Sequence, residues 1–556
     1  MATMDPNAFV RLLYAFAANP TAPDDLVQLV RPARILLRDA PHSRADLGRA
    51  DGFWVALGSV WQSQASLLER DDKASIPAIQ ALAAFLIGLT TMDPDSQREA
   101  IANVEPHLRS ILHTSSSLFN LEDPMYQPMI RTCCQALANL VTSNPAASAV
   151  YFPQRLRAEE SDQLLQRLLA TPDDATLQAI LIFLLNSIHS SPERALLLGT
   201  SKAGAAILDR IMVLVSSVYD NDSQENPAPM SEEGSDLFGL SFAIVKQIIE
   251  TGMFAETYAA HKLLPGFSIS PTLIILLKYL DGFLSSHLAS TPSTSAISIS
   301  RSLLPFLHRQ LVSLSTSLLE RNERERSDAL GFQGVVLILH CLCEIGLGID
   351  RDEQRKMEQG DEDSEPVTEA ERGPEGLGDS IELVVRLLHF SSTSIAPPSA
   401  RPQPNSSARI SEIDPANPAS VPPPPSAAEE ADQGDDVVST SAGFQQLKLI
   451  CVKYLGIVSF QPPRPAAALR KGVPGVNRVE AYQNVIRESG GLGLLLGMCQ
   501  IDGRNPTLRE HALLAIRNIL KDNVDNQDYI DKMKPQFKVG DDGSLQDLPP
   551  ALRPEQ

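Results

Sequence analysis

The residues of this chain best suited to recognition chemistry are asparagines that recur at matching places on helix-like segments. Ala136-Leu-Ala-Asn-Leu-Val-Thr-Ser-Asn144 parallels Ala515-Ile-Arg-Asn-Ile-Leu-Lys-Asp-Asn523, so Asn139 matches Asn518 and Asn144 matches Asn523. Phe183-Leu-Leu-Asn-Ser-Ile-His-Ser-Ser-Pro192 follows the same template and puts Asn186 at the shared position. A side-chain amide is both donor and acceptor, which suits the main chain of an extended peptide. The same amide can instead bond the adjacent inter-helix turn, and the residues alone leave both readings open. Gly88 and Gly456 stand at the equivalent places, so a peptide-binding ladder would be a broken one. If the ladder holds a peptide, Asn518→Ala weakens partner binding more than folding.

Other reactive residues are poorly arranged for chemistry. Cys341 and Cys343 sit two apart in an apolar helical run, where they point to different sides of the helix and chelate one ion awkwardly. Cys133-Cys134, Cys451 and Cys499 also read as packing residues, and no metal or other cofactor is expected. Ser489-Gly-Gly-Leu-Gly493 lacks the Lys-Ser/Thr of a phosphate loop and follows no strand, so it reads as a turn between helices. His107, His113, His189, His340 and His389 are scattered in or beside apolar runs, with no catalytic constellation. The mixed-charge run at 321–326 reads as a solvated helix end.

The elements that must carry these residues are helices. In Leu508–Leu520, the apolar residues Leu508, Ala512, Ala515, Ile516 and Ile519 form one stripe at helical spacing, after Asn505-Pro506-Thr507 as a start signal. Apolar runs recur at 78–89, 130–141, 177–188, 271–284 and 443–458, and alternating strand patterns are nearly absent. Gly88, Asn139 and Asn186 are spaced 51 and 47 residues apart, near the ~40–47 residues of armadillo and HEAT units. Such units cannot bury their apolar faces alone and must stack. The spacing predicts an all-α, armadillo/HEAT-like α-solenoid.

With 556 residues, 43% of them hydrophobic, the chain is long enough for a large core without staples. Its 47 Lys+Arg against 68 Asp+Glu give a net charge of −21, which argues against nucleic acid or an anionic membrane as partner. Six cysteines fit a reducing compartment. Residues 351–442 hold 19 acids and 7 bases, together with the proline run 422–425, and read as a mostly disordered insert with a short helix at 381–390. The expected organisation is therefore a solenoid over 1–350 with an acidic loop near 220–236, the insert, a helical domain over 443–535 and a flexible tail over 536–556. No secretory or lipidation signal is expected, and the most apolar run, 334–349, falls short of a membrane span.

The C-terminal region carries a more specific pattern. Asn484-Val-Ile-Arg-Glu-Ser-Gly-Gly-Leu-Gly-Leu-Leu-Leu-Gly-Met-Cys-Gln-Ile-Asp-Gly-Arg-Asn-Pro506 runs into Thr507-Leu-Arg-Glu-His-Ala-Leu-Leu-Ala-Ile-Arg-Asn518, then Asn526-Gln-Asp-Tyr-Ile530. Together with the helix at 447–460 this resembles the C-terminal domain of the ataxin-10 family, of a fungal type, over about 444–535. It departs from that pattern in a Pro/Arg/Gly-containing loop at 461–475 and in the 351–442 insert. The resemblance implies an armadillo-type, non-catalytic cytoplasmic protein that binds partner proteins and regulates cytokinesis, with copper homeostasis as the alternative; an undetected enzyme, which the residues do not exclude, is a third reading. Extended segments or helices of other proteins are the expected partners, and the oligomeric state stays open. Arg509, Arg517 and Asn518 join Asn139 and Asn186 as candidate binding residues, because Arg509 and Arg517 lie eight apart near one polar side of a helix.

Overall fold

The computed structural model describes residues 5–20, 23–39, 42–157, 163–222, 232–261, 268–289, 293–320, 329–358, 377–393, 427–460, 478–500, 505–533, 537–539 and 545–547. Among these the chain is all-α apart from one short strand pair, and it divides into two compact units. The first comprises Met1–Lys262 and Pro271–Leu280; the second, Leu263–Ser270 and Asp281–Gln556. Each is a stack of helical repeats, the armadillo/HEAT-like α-solenoid arrangement.

The first unit begins with α1 (Pro6–Ala18), α2 (Pro23–Asp39), α3 (His42–Gly48), α4 (Phe53–Glu69) and α5 (Ile76–Thr90). It continues with α6 (Pro94–Asn103), α7 (Glu105–Ser115), α8 (Leu118–Glu122), α9 (Gln127–Val141), α10 (Pro145–Leu156) and α11 (Leu164–Leu168). Then come α12 (Asp174–Ile188), α13 (Pro192–Thr200), α14 (Lys202–Asp222), α15 (Glu232–Glu250) and α16 (Phe254–Ala260). Helices α2, α5, α9, α12 and α15 pack side by side in that order and form the spine of the stack. Because α5 lies between α2 and α9, it is apolar on most sides, burying Ile79, Leu82, Phe85, Leu86 and Leu89.

One turn recurs after three of the spine helices, α5, α9 and α12. Thr91, Thr142 and His189 take φ near −60° and ψ near +120°, and Met92, Ser143 and Ser190 follow in the left-handed region at φ 56°, 57° and 51°. Asp93, Asn144 and Ser191 then donate back to Thr90, Val141 and Ile188 at 3.4, 3.2 and 3.1 Å, which makes each a type II turn. A proline opens the next helix at Pro94, Pro145 and Pro192, where its missing N–H costs nothing. Met92 is 71% exposed, so its strained backbone is not offset by packing. Met92→Gly is expected to raise stability by about 0.5–1 kcal/mol, the left-handed cost less glycine's chain entropy. An unchanged or lower urea midpoint would contradict this.

Helix α17 (Pro271–Leu288) spans the residue at which the two units are divided. The second unit continues with α18 (Thr294–Glu320), α19 (Ala329–Glu358), α20 (Leu377–Thr393), α21 (Ala427–Val458) and α22 (Arg478–Glu488). Helices α23 (Gly491–Gly497), α24 (Leu508–Leu520) and α25 (Val524–Lys532) follow. Helix α19 packs on α18 and α21, α20 on α18, α21 and α22, and α24 on α21 and α23. Phe332, Phe390 and Phe444 join α19, α20 and α21 with ring centroids 5.2–6.1 Å apart. The glycine run is the α22–α23 junction: Gly490 has φ +83°, and a β-carbon on Gly491 would approach Val385 and Ile486 within 3 Å.

Several bounds differ from the sequence reading. Helix α19 runs past 350 to Glu358, its polar end held by Asp352 with Arg355 at 2.5 Å and Lys356 at 2.9 Å rather than by apolar periodicity. The helix expected at 381–390 extends to Leu377–Thr393. Helix α21 starts at Ala427, in Ala/Asp/Glu-rich sequence with no apolar stripe. In the tail, β1 (Phe537–Val539) and β2 (Leu545–Asp547) pair antiparallel, Phe537 opposite Asp547. Most of the acidic loop at 220–236, the run at 321–326, the Pro-rich insert at 394–426 and the loop at 461–475 lie outside the described residues. The expectation that no segment reaches span length is corrected: Lys73–Thr90 and Ala329–Lys356 are each long and apolar enough to cross a membrane by length and composition. The helices pack their apolar surface on neighbouring helices here, with Val335, Ile338, Leu339 and Leu342 of α19 all buried.

Candidate partner-binding site

The recurring asparagines join one repeat to the repeat before it. On α9, Asn139 Nδ2 donates to Thr90 Oγ1 at 2.7 Å and to the Ile87 carbonyl at 3.3 Å, both at the end of α5. Asn186 Nδ2 of α12 donates to Thr142 Oγ1 at 2.8 Å, in the turn after α9. Asn518 Nδ2 of α24 donates to the Gly456 carbonyl of α21 at 2.8 Å, and Asn518 is only 7% exposed. Asn139 and Asn186 are half-buried. These side chains therefore sit between helices, with their amide donors directed at the neighbouring repeat.

A buried glutamine completes the arrangement, and it is built twice. Gln97 of α6 donates to the Asn139 and Thr142 carbonyls at 2.8 and 3.0 Å, while Asn144 Nδ2 donates to Gln97 Oε1 at 2.8 Å. In the second unit, Gln483 of α22 donates to the Asn518 and Lys521 carbonyls at 2.8 and 3.3 Å, and Asn523 Nδ2 donates to Gln483 Oε1 at 3.1 Å. Asn144 and Asn523 also cap α10 and α25, accepting from the Ala147 and Asn526 amides. Asp522, like Ser143, is left-handed in the turn, at φ 56°. Each clamp adds a side-chain donor to helix-end carbonyls, of which that of Asn518 also accepts from the Lys521 amide at 3.3 Å. Neither glutamine was found from sequence, because Gln97 precedes its asparagine by 42 residues and Gln483 by 35.

Arg509 and Arg517 are exposed on α24, on the same side as Leu513 and Leu514, which are 49% and 51% exposed. Helical spacing of four puts Arg509, Leu513 and Arg517 in one line, next to Asn518 in sequence but on a different side from its buried amide. The stripe of Leu508, Ala512, Ala515 and Ile519 packs inward, with Ile516 half-buried.

The remaining reactive groups are drawn into the core. Burial pushes the thiols of Cys133, Cys134, Cys341, Cys343 and Cys451 up, and that of Cys499 to a lesser degree. Among the described residues no three His, Cys, Asp or Glu side chains converge as metal ligands. Between α7 and α10, the buried Tyr151 hydroxyl donates to Glu105 at 2.7 Å, with Arg109 at 3.3 Å and Arg155 at 3.8 Å from the same oxygen. Burial and the carboxylate hold that phenol well above its ordinary value, so it is a hydrogen-bond donor rather than a base.

The C-terminal sequence matches a known family. Residues 476–551 match the family described as the spinocerebellar ataxia type 10 protein domain. An ataxin-10 homologue of Saccharomyces cerevisiae is 43% identical over 60 residues, 11% of this chain and 11% of that protein. The C-terminal segment belongs to the ataxin-10 family. A homologue from Dictyostelium discoideum is 41% identical over 66 residues, 12% of this chain and 11% of that protein. Ataxin-10 of Homo sapiens is 43% identical over 54 residues, 10% of this chain and 11% of that protein. The matched stretch thus spans about a ninth of these relatives. Gln483, Arg509, Arg517, Asn518 and Asn523 fall inside the ataxin-10 segment, whereas Gln97, Asn139, Asn144 and Asn186 lie outside it. Solved structures of SYS-1, alone and with POP-1, align over 95% of this chain and 95% and 88% of theirs, at 11% identity and a TM-score of 0.36, too low to carry an argument.

Proposed function

We propose that this chain is a non-enzymatic helical-repeat scaffold that binds other proteins in the cytoplasm and takes part in the regulation of cytokinesis. The observation that carries the reading is a division of labour among side chains. Buried amides join repeat to repeat, while Arg509, Leu513, Leu514 and Arg517 stay exposed on one helix of the ataxin-10 segment. An exposed apolar pair flanked by arginines suits a protein contact, where arginine supplies both charge and planar stacking surface. Copper handling would draw on thiolates, and burial disfavours ionising the thiols here.

The test is cross-linked affinity capture with mass spectrometry, comparing the natural chain with an Arg509→Glu/Arg517→Glu chain. The scaffold reading expects division-machinery proteins with the natural chain and loss of part of that set on charge reversal. Recovery of no division protein by the natural chain would overturn the cytokinesis role. Full recovery by both chains would remove the α24 surface from it.

A further inference from the structure

The first unit carries a second exposed stripe of greater charge. On α2, Arg31, Arg34, Ile35 and Arg38 lie at i, i+3, i+4 and i+7, all exposed, while Leu26, Val30, Ala33 and Leu37 pack inward. Ile35 is 52% exposed in the middle of the stripe. Among the described residues Arg31 and Arg34 have no ion-pair partner. Arg131, on the exposed side of α9, is by contrast engaged by Asp173 at 2.5 and 3.0 Å.

The stripe borders the spine helices where the asparagine pattern is interrupted. Gly88 of α5 takes the place that Asn139 and Asn186 hold farther along, and a β-carbon there would lie 4.0 Å from Arg34 Cγ. The arginine stem thus runs beside the first rung. One repeat on, Gln135 is exposed four residues before Asn139.

We infer that Arg31, Arg34 and Ile35 form a docking site for an acidic segment of a partner protein, with an apolar side chain set between its carboxylates. The inference rests on the scaffold reading and names the partner chemistry at one place on it. Charge complementarity selects the occupant: unpaired guanidiniums favour carboxylates, which they bind in bidentate fashion. Polynucleotide is disfavoured by the chain's net charge of −21. A central isoleucine adds an apolar contact that a polyphosphate backbone cannot use.

Fluorescence anisotropy on the full chain tests this. The probe is a labelled 14-residue peptide with glutamates on either side of one central leucine; its Glu→Gln counterpart and a 14-nucleotide single-stranded RNA are the comparisons. The glutamate peptide is expected to bind, and to weaken at least ~10-fold with Arg31→Glu/Arg34→Glu, with the Glu→Gln peptide, and on raising salt. Arg386→Glu, at an exposed arginine of α20, should leave it unchanged. Equal binding by the Arg31→Glu/Arg34→Glu chain, with its thermal midpoint unaltered, would overturn the site. So would preferential binding of RNA to these arginines. Peptide binding that emerges only after deletion of the chain's own acidic residues 359–376 would assign the stripe to that segment and overturn a partner. In the affinity capture, an unchanged partner set from the Arg31→Glu/Arg34→Glu chain would sink this site and leave the scaffold reading standing.

Discussion

Replacing Gln483 with leucine is expected to cost about 2–4 kcal/mol, because it strips donors from two helix-end carbonyls and an acceptor from a buried amide. The glutamine is fully buried, and it bonds the Asn518 and Lys521 carbonyls while accepting from Asn523. Leucine has nearly the same volume, so the loss reports hydrogen bonding rather than a cavity. Gln527 provides the control, since it also donates to a helix-end carbonyl, that of Leu520 at 2.8 Å, but at an exposed site where water can substitute. Gln527→Leu should cost under ~1 kcal/mol. Urea denaturation of the two variants checks the contrast, and equal midpoints would mean that the buried clamp contributes no more than a surface bond.

Acid should loosen the second unit through one histidine. His308 of α18 is buried, with Nδ1 3.2 Å from Ser380 Oγ of α20, and burial holds its pKa down to about 4 from 6.5. The unfolded chain therefore takes up this proton before the folded one does, and stability falls as pH drops from about 6.5 toward 4. At pH 5 the loss is about 2 kcal/mol relative to neutral pH. His340 works in the other direction. Its hydrogen bond to Asp281 at 2.8 Å raises its pKa, so the stability it adds is present below 6.5 and is lost as pH rises through the raised value. Thermal midpoints from pH 4.5 to 8 check the balance. His308→Gln should flatten the acid limb, and an unchanged limb would assign the loss to other groups.

The helical class was readable because helices in a stack bury one face, and a buried face leaves a period. Leu508, Ala512, Ala515 and Ile519 show it on α24, whereas spine helices such as α5 and α12, flanked on both sides, read as apolar runs. The shared helix end was also visible, since segments 136–144, 183–192 and 515–523 follow one template. Residues that meet across the stack were not. Gln97 and Gln483 lie on different helices from the asparagines they hold, at unequal separations, and no local period marks them. The polar ends of α19 and α21 were missed for a related reason, because neither carries an apolar stripe, and the ion pairs of Asp352 extend α19 without one. Arg31 and Arg34 pass unnoticed in a chain of net charge −21, and their meaning depends on which face of α2 is covered.

The division between joining and binding side chains is tested most directly on one set of full-length variants. Asn139→Ala, Asn186→Ala and Asn518→Ala are each measured for denaturation midpoint and, well below that midpoint, for partner capture. The arrangement predicts lowered midpoints, most of all for buried Asn518, with an unchanged partner set. Unchanged midpoints with lost partners would contradict it and make the asparagines the peptide-holding groups themselves.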